Sequence, residues 1–198
     1  MISRANDSPS FRLLLETTAA CIREKGCKKT TLQEIMNRSG LSKGAIYHYV
    51  RSKDELFGLI LKNKLESLSD SFYQTAYAKK DLHHPMEVIA ASVRPFANPD
   101  DVTTPIFLYL LSQQDQASVR SILEDVYRHS EENSIKWIEL GKEAGVIPEH
   151  IDARKAVRRF ITYSYGLRVR SVISPDEMEE AIADYYELMK RELTKPNT

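Results

Sequence analysis

Apolar residues recur at intervals of three and four along most of the chain, the spacing that places side chains on one face of an α-helix. The first such segment carries the apolar stripe Phe11, Leu14, Leu15, Thr18, Ala19 and Ile22. Capping residues, prolines and glycines then divide the rest of the chain into further helices, and no segment gives a convincing strand signal. The pattern predicts an all-α fold of about nine helices.

The starts of these helices are marked by local chemistry. Ser8 can cap the first helix, since Pro9 fits the first helical position, where a backbone N–H is not needed. Ser174, Pro175 and Glu177 combine a cap, a proline and a capping-box acid at the start of the last helix, which ends near Leu193. The other predicted starts are Ser52, for a long helix to about Ala78, then Pro85, Pro105, Asp115 and Asp152, the last for a helix to about Ile173.

Residues 31–50 predict two short helices joined by a tight turn. Thr31 and Glu34 fit a capping box, and Gly40 offers a left-handed residue at which the first of these helices can end. Ser42 can cap the second helix, which turns apolar side chains such as Ile46 inward. A turn of this length between two helices is that of a helix-turn-helix motif.

The outward face of the second short helix suits a nucleic acid. Lys43 can reach a guanine edge or a phosphate, and the Tyr47 hydroxyl can donate to a phosphate. Gly44 is a poor helix former, but without a side chain it lets the backbone approach a groove closely. Lys53 follows the Ser52 cap, where the positive end of the helix and the ammonium both attract a phosphate.

The first 65 or so residues resemble the DNA-binding domain of the TetR family of transcriptional regulators. The resemblance is carried by Leu14, Leu15, Ala19, Ala20 and Ile22, Glu24-Lys25-Gly26, Thr30-Thr31, Ile35, Ser39-Gly40, the run Ser42 to Tyr47, and Ser52-Lys53. It departs from the family pattern at Cys27, where an aromatic residue is common, and at Tyr49-Val50, where a His-Phe pair is frequent.

The resemblance implies a role for each matching position. Lys43 and Gly44 would approach bases, Tyr47 and Lys53 would hold phosphates, and Thr31 would anchor the motif to the DNA backbone. The candidate DNA-contacting residues are therefore Thr31, Ser42, Lys43, Gly44, Tyr47, His48 and Lys53. It also implies a DNA-binding domain at residues 1–51 and a helical effector-binding and dimerisation domain at residues 52–198.

Charge is unevenly distributed along the chain. The net charge of the 198 residues is zero, yet residues 1–65 hold 12 basic and 6 acidic side chains, against 16 and 22 in the remainder. Positive charge thus accompanies the predicted motif, where it would steer association with DNA and make affinity fall with salt.

Membrane, metal and cofactor chemistry are not indicated. No stretch approaches the apolar length of a membrane helix, and the N-terminus lacks a signal core, so we expect a cytoplasmic protein. Cys21 and Cys27 lack the spacing of a metal or redox motif, and we expect reduced packing residues, with a thiol sensor as the alternative. His83-His84 is expected in a solvated loop. We expect no metal and no cofactor.

The last two predicted helices have more apolar surface than one buried face needs. A helix that is apolar on two sides buries both, and a four-helix bundle between two copies would achieve this. The resemblance implies the same pair of helices as the dimer interface. The candidate interface residues are Phe160, Gly166, Leu167, Met178, Ile182, Tyr185 and Met189.

A small-molecule pocket is a further expectation from the resemblance. Its candidate walls are Phe72, Phe107, Leu111, Trp137 and Tyr163, although periodicity alone favours core packing between helices for each of them. The basic cluster Arg154, Lys155, Arg158 and Arg159 could hold an anionic group, but pairing with Glu177, Glu179 or Glu180 on a solvated face is favoured.

The sequence therefore predicts a homodimeric regulator, most simply a repressor that an unknown small-molecule effector releases from a palindromic DNA operator. A transcriptional activator and a protein–protein adaptor on the same fold are the alternatives. An enzyme is disfavoured, because the His, Cys and carboxylate residues show no catalytic spacing.

Overall fold

The computed structural model describes residues 8–79, 81–194 and 196, and every regular element in this part of the chain is helical. The all-α prediction is confirmed. The α-helices are α1 (Pro9–Lys29), α2 (Leu32–Ser39), α3 (Lys43–Tyr49), α4 (Lys53–Lys79), α5 (His83–Ala91), α6 (Thr103–Ser112), α7 (Ala117–Glu143), α8 (Ala153–Ile173) and α9 (Met178–Leu193). Short 3₁₀ helices lie at Arg94–Ala97 and Pro175–Glu177.

Several helices begin where the local chemistry predicts. The hydroxyl of Ser8 accepts from the backbone N–H of Phe11 at 3.1 Å, and the Asp152 carboxylate accepts from that of Lys155 at 3.0 Å. Four starts differ from the prediction. α5 begins at His83, two residues before Pro85, so His83 and His84 lie in a helix and not in the expected loop. α6 begins at Thr103, two residues before Pro105, α7 begins at Ala117, two residues after Asp115, and the Ser174 to Glu177 segment forms a 3₁₀ turn ahead of α9.

The chain forms two compact units. Among the described residues, the first contains 8–61 and 102–126, and the second contains 62–79, 81–101, 127–194 and 196. Helices α4 and α7 each contribute residues to both units. The expected division at residue 52 does not coincide with these units, because α6 packs against α1 in the first unit.

The first unit has a small core formed where α1, α2, α3 and the start of α4 meet. Its fully buried members include Leu14, Ile35, Ile46 and Leu56. On the α6 side, the rings of Phe57 and Tyr109 meet edge to face with centroids 5.6 Å apart. Since α2 and α3 have only eight and seven residues, they depend on this burial for their stability.

The second unit has a larger core between α5, α8 and α9, with contributions from α7. Its buried residues include Met86, Ile138, Val157, Ala181 and Met189. None of the helices in the described part of the chain is apolar over a length sufficient to span a lipid bilayer.

Candidate nucleic-acid interface and internal cavity

The two short helices α2 and α3 each begin at a hydroxyl cap, and a glycine ends α2 at the turn between them. Thr31 accepts from the backbone N–H of Glu34 at 3.3 Å, and Ser42 accepts from that of Ala45 at 3.2 Å. Gly40 ends α2 with φ 67° and ψ 6°, a left-handed conformation that glycine adopts without steric cost. The predicted helix-turn-helix geometry is therefore present.

The inner face of α3 fixes the helix against α1. Ile46 is fully buried, which contributes about 1.5–3 kcal/mol. The ring of Tyr49 lies 5.2 Å from that of Phe11, and its hydroxyl is 2.8 Å from the Ser8 hydroxyl. This link between the start of α1 and the end of α3 has no signal in the sequence, because the two residues are 41 positions apart.

The outer face of α3 presents the side chains expected to meet DNA. Lys43, Gly44 and His48 are exposed, and the Tyr47 side chain is 45% exposed. The Lys43 ammonium lies 5.6 Å from the centroid of the Tyr47 ring, so the two side chains form one patch with a cation and a hydroxyl. Thr31 and Ser42 are exposed as well, at the starts of α2 and α3.

Gly44 is not required by the fold of the free chain. It lies within α3 and not in the left-handed region, and a Cβ added there would meet only the Ser42 hydroxyl oxygen, at 4.0 Å. Space and backbone conformation at this position would therefore both accept alanine.

Lys53 is placed differently from the expectation. Its ammonium donates to the backbone carbonyl oxygens of Cys27, Lys28 and Thr30 at 3.2, 3.3 and 3.3 Å, and lies 5.0 Å from the centroid of the Tyr109 ring. A lysine ammonium has three N–H donors, so these three carbonyls occupy it fully. The described chain therefore uses Lys53 to hold the last turn of α1 against α4 and α6. The acceptors lie 23 to 26 residues away, which no local pattern reveals.

An ion network fastens α2 to α1 beside the motif. The Arg38 guanidinium donates to Glu24 at 2.8 Å and lies 3.3 Å from Glu34, and Glu34 also pairs with Lys25. The hydrogen bond from Arg38 lowers the pKa of Glu24 below its ordinary value. The Glu34 carboxylate is thus committed to Lys25 and Arg38, and not to the return bond of a capping box.

The described part of the second unit encloses a cavity of about 380 Å³ with mainly apolar walls. Two of the five predicted pocket residues line it, Phe72 and Trp137, whose rings stack at 4.8 Å with an interplanar angle of 19°. Phe107 and Leu111 belong instead to α6 in the first unit, the former buried and the latter exposed. Tyr163 lies in an open groove along α8 and α9, where it stacks on Tyr185 at 5.3 Å.

Most of the predicted dimer residues are buried within the single chain. These are Phe160, Leu167, Met178, Ile182, Tyr185 and Met189, and only Gly166 is exposed. Helix α9 packs against both α5 and α8 within the chain. The exposed apolar side chains of α8 lie near its end instead, at Val169, Val172 (60% exposed) and Ile173 (75% exposed).

The basic cluster on α8 is paired, but with other partners than expected. Arg154 and Arg158 both donate to Glu131 of α7, at 3.3 and 3.0 Å, and Arg159 pairs with Glu192 of α9. Glu131 and Glu192 thus offset two of the four positive charges of the cluster.

Both cysteines are buried in the first unit. Burial raises the pKa of the Cys27 thiol to about 11. A thiol held protonated in this way is a packing group with little nucleophilic character, in agreement with the packing role expected from the sequence.

A helix-turn-helix with a basic, partly aromatic outer face, on a chain that also holds a separate cavity, defines the class of helix-turn-helix DNA-binding regulators. Residues 14–60 match the family model of bacterial regulatory proteins of the tetR family. The match covers the helix-turn-helix region, and the chain is similar to TetR-family transcriptional regulators, as the resemblance predicted.

Individual relatives agree with this assignment. The HTH-type transcriptional regulator BetI 2 of Chromohalobacter salexigens is 26% identical over 172 residues, which cover 87% of this chain and 82% of that protein. A TetR transcription regulator from Haloarcula marismortui has the same fold, with a TM-score of 0.67 and 23% identity over 91% of this chain and 96% of that one. FadR of Bacillus subtilis, solved in complex with stearoyl-CoA, has a TM-score of 0.65 and 15% identity over 94% of this chain and all of that one.

Proposed function

We propose that this regulator is a repressor that binds a palindromic operator as a homodimer and is released by a small molecule bound in the cavity of the second unit. The observation that carries the proposal is the outer face of α3, where Lys43, Gly44 and Tyr47 stand exposed while Ile46 fixes the helix from behind. The cavity of about 380 Å³ supports the binding of a small-molecule effector, since small-molecule sites commonly measure about 300–1,000 Å³.

Each exposed residue of α3 has a role set by its chemistry. Lys43 supplies a cation to a base edge or phosphate, and Tyr47 and His48 supply further donors. Gly44 lets the backbone approach the groove wall. Thr31 and Ser42 contact the DNA backbone at the helix starts. We assign Lys53 to holding α1 and not to a phosphate, because its donors already have three carbonyl acceptors.

The homodimer would bring two copies of α3 to the half-sites of one operator. Such half-sites lie about one helical turn apart, roughly 34–36 Å. We propose that a second copy covers the exposed apolar end of α8, at Val169, Val172 and Ile173, together with Gly166. A symmetric dimer places the same patch on both copies, so one apolar patch suffices.

Release requires a difference in affinity between two states. The effector must bind the conformation that cannot engage the operator more tightly, because equal affinity for both shifts nothing. FadR of Bacillus subtilis, of the same fold, was solved with stearoyl-CoA, and we infer that this chain likewise takes a small molecule.

The DNA contacts are tested by titrating a labelled fragment of the gene's own upstream region with wild-type protein and the variants Lys43→Ala and Tyr47→Phe. We expect each variant to weaken binding by about tenfold, and Lys43→Ala to reduce the salt slope by about 1. The matched control is Lys136→Ala, which removes an exposed lysine from α7. Wild-type affinity in both α3 variants would contradict the assignment. Absent or salt-independent binding by the wild type would favour the adaptor alternative.

Gly44→Ala separates a DNA role from a folding role. Since the added methyl has room in the free chain, we expect the melting temperature to hold or to rise slightly. Operator affinity should nevertheless fall, because the methyl occupies the space where the backbone meets the groove. A variant that binds like the wild type would show that α3 does not approach DNA at this residue.

A promoter fusion distinguishes repression from activation. Expression from the fused promoter should rise on deletion of a repressor and fall on deletion of an activator.

A further inference from the structure

The open groove along α8 and α9 carries opposite charge at its two ends. We call it the α8–α9 groove. It runs along α8 from Arg154 to Arg170, about 24 Å of helix, and its other side is formed by the second half of α9. The middle of the groove is uncharged and is lined by Thr162, Tyr163, Gly166, Leu167 and Leu188.

One end of the groove is basic. Three of its arginines are already paired with Glu131 and Glu192. Its remaining acid, Asp152, caps α8 by accepting from the backbone N–H of Lys155. The side chains of Lys155 and Arg191 are exposed at this end, and neither forms an ion pair or hydrogen bond with another described residue. Two cations therefore stand at this end without a partner in the described part of the chain.

The same face of α9 is acidic toward the other end of the groove. Glu180, Asp184, Leu188 and Arg191 follow one another at helical spacing, so they share one face of α9. Both carboxylates are exposed, and within the described residues neither forms an ion pair or a side-chain hydrogen bond. They still act on the groove, because the charge of Asp184 adds to burial in raising the pKa of Tyr163. Two anions thus balance the two cations at the opposite end.

This pattern makes the groove complementary to itself. A symmetric dimer brings the same surface of both copies together. A two-fold axis that lies between the copies and runs across the groove places the basic end of one copy against the acidic end of the other. An axis that runs along the groove would place like charges together, which is unfavourable.

The positions of the charges agree with an axis across the groove. Arg170 marks the level of Glu180, whose charge helps to raise the pKa of that arginine after the larger effect of its hydrogen bond to Glu177. On α8, the midpoint between residues 155 and 170 falls at 162–163. On α9, the midpoint between residues 184 and 191 falls beside Leu188. Both midpoints lie in the uncharged middle of the groove, where Gly166 is exposed and its backbone is open to a second helix.

We propose that the α8–α9 groove binds the same groove of a second copy turned end for end, so that Lys155 and Arg191 of each copy face Glu180 and Asp184 of the other. The proposal rests on the homodimer proposed above and specifies how its two copies are oriented. In this arrangement the aliphatic stems of the basic side chains also cover the exposed apolar end of α8 in the second copy.

Charge reversal at either end of the groove tests this orientation. The basic-end variant carries Lys155→Glu and Arg191→Glu, and the acidic-end variant carries Glu180→Lys and Asp184→Lys. Sedimentation velocity at low salt, over a range of protein concentrations, measures the dissociation constant of the dimer. Each variant alone places like charges at both ends of its dimer, so we expect the dissociation constant to rise about a hundredfold. The rise should shrink at high salt, because these charges are exposed.

An equimolar mixture of the two variants distinguishes lost pairing from lost folding. In an end-for-end dimer of one variant with the other, both ends again bring opposite charges together. We therefore expect the mixed dimer to form with nearly the affinity of the wild type, and all four substitutions in one chain to restore the homodimer. The control carries Lys64→Glu and Lys136→Glu, two exposed lysines of α4 and α7, and should dimerise like the wild type.

The possible outcomes separate the orientation from the homodimer itself. Wild-type affinity in both variants would overturn the orientation and leave the homodimer standing. Weakened variants that do not recover on mixing would also overturn it, since the four residues would then act through the fold or through a different partner. A wild-type chain that stays monomeric at micromolar concentration would refute the homodimer and the orientation together. None of these measurements uses DNA, so they do not depend on the assignment of the DNA contacts.

Discussion

The position of Lys53 leads to a prediction that separates two roles for one side chain. If its ammonium holds the last turn of α1, Lys53→Met should destabilise the free protein, because methionine keeps most of the apolar stem and removes the charge and all three donors. If it instead holds a phosphate, the same change should spare the free protein and weaken only the complex with DNA.

The expected loss of stability follows from the contacts. Three hydrogen bonds of 3.2 to 3.3 Å are removed, from a half-buried side chain whose carbonyl acceptors can partly turn to water. At roughly 0.5–1 kcal/mol each, they contribute about 2 kcal/mol, and the cation held 5.0 Å from the Tyr109 ring adds about 0.5 kcal/mol. A loss of this size lowers the melting temperature of a chain of about 200 residues by roughly 5–10 °C.

The measurement is a melting curve of the free protein, followed by an operator titration at several salt concentrations below the melting temperature. Lys136→Met, on an exposed part of α7, is the matched control and should melt like the wild type. An unchanged melting temperature in Lys53→Met, with a salt slope reduced by about 1, would refute the clamp and restore the phosphate contact.

Three further predictions concern the first unit. Gly58→Ala should cost about 1–3 kcal/mol and lower the melting temperature, because its Cβ would lie 2.5 Å from a methyl carbon of Ile122, and an unchanged melting curve would show that this contact relaxes freely. At pH 8 the folded protein should react with iodoacetamide at Cys27 about a hundredfold more slowly than a free thiol, since its pKa is about 11, and mass spectrometry showing rapid labelling there would contradict this. Arg38→Gln should raise the pKa of Glu24 toward its ordinary value in an NMR titration. Because folding lowers the pKa of Glu24, the ion pair stabilises the protein at pH values above the ordinary carboxyl pKa, and this stabilisation is lost as the pH falls through the pKa of the folded state. A Glu24 pKa that the substitution leaves unchanged would show that the ion pair is not formed.

The sequence was informative where the physics is local. The caps at Ser8, Thr31, Ser42 and Asp152 each accept from an N–H three residues on, so a short window contains both partners. The exposed face of α3 followed from the same short-range pattern, once the inward residues were known.

Contacts between residues far apart in the sequence are harder to predict from the sequence. The periodicity of α9 indicates that two of its faces are buried but not what covers them, and α5 packs against α9 within the same chain. Phe72 and Trp137 lie 65 positions apart, and aromatic composition alone could not separate them from Phe107 and Tyr163, which lie elsewhere. Lys53 shows the same limit, since its acceptors are fixed by how α1 ends.

The ion network of Glu24, Lys25, Glu34 and Arg38 affects how DNA-binding data on this protein are interpreted. Salt weakens exposed ion pairs as well as contacts with phosphate, and these pairs hold α2, which supports α3, against α1. Added salt therefore weakens the ion pairs that hold the helix-turn-helix in place, and it also screens the attraction between the protein and the operator phosphates. Comparing the salt slope of the wild type with that of Arg38→Gln, whose α2 keeps only the Lys25–Glu34 pair of this network, separates the two effects.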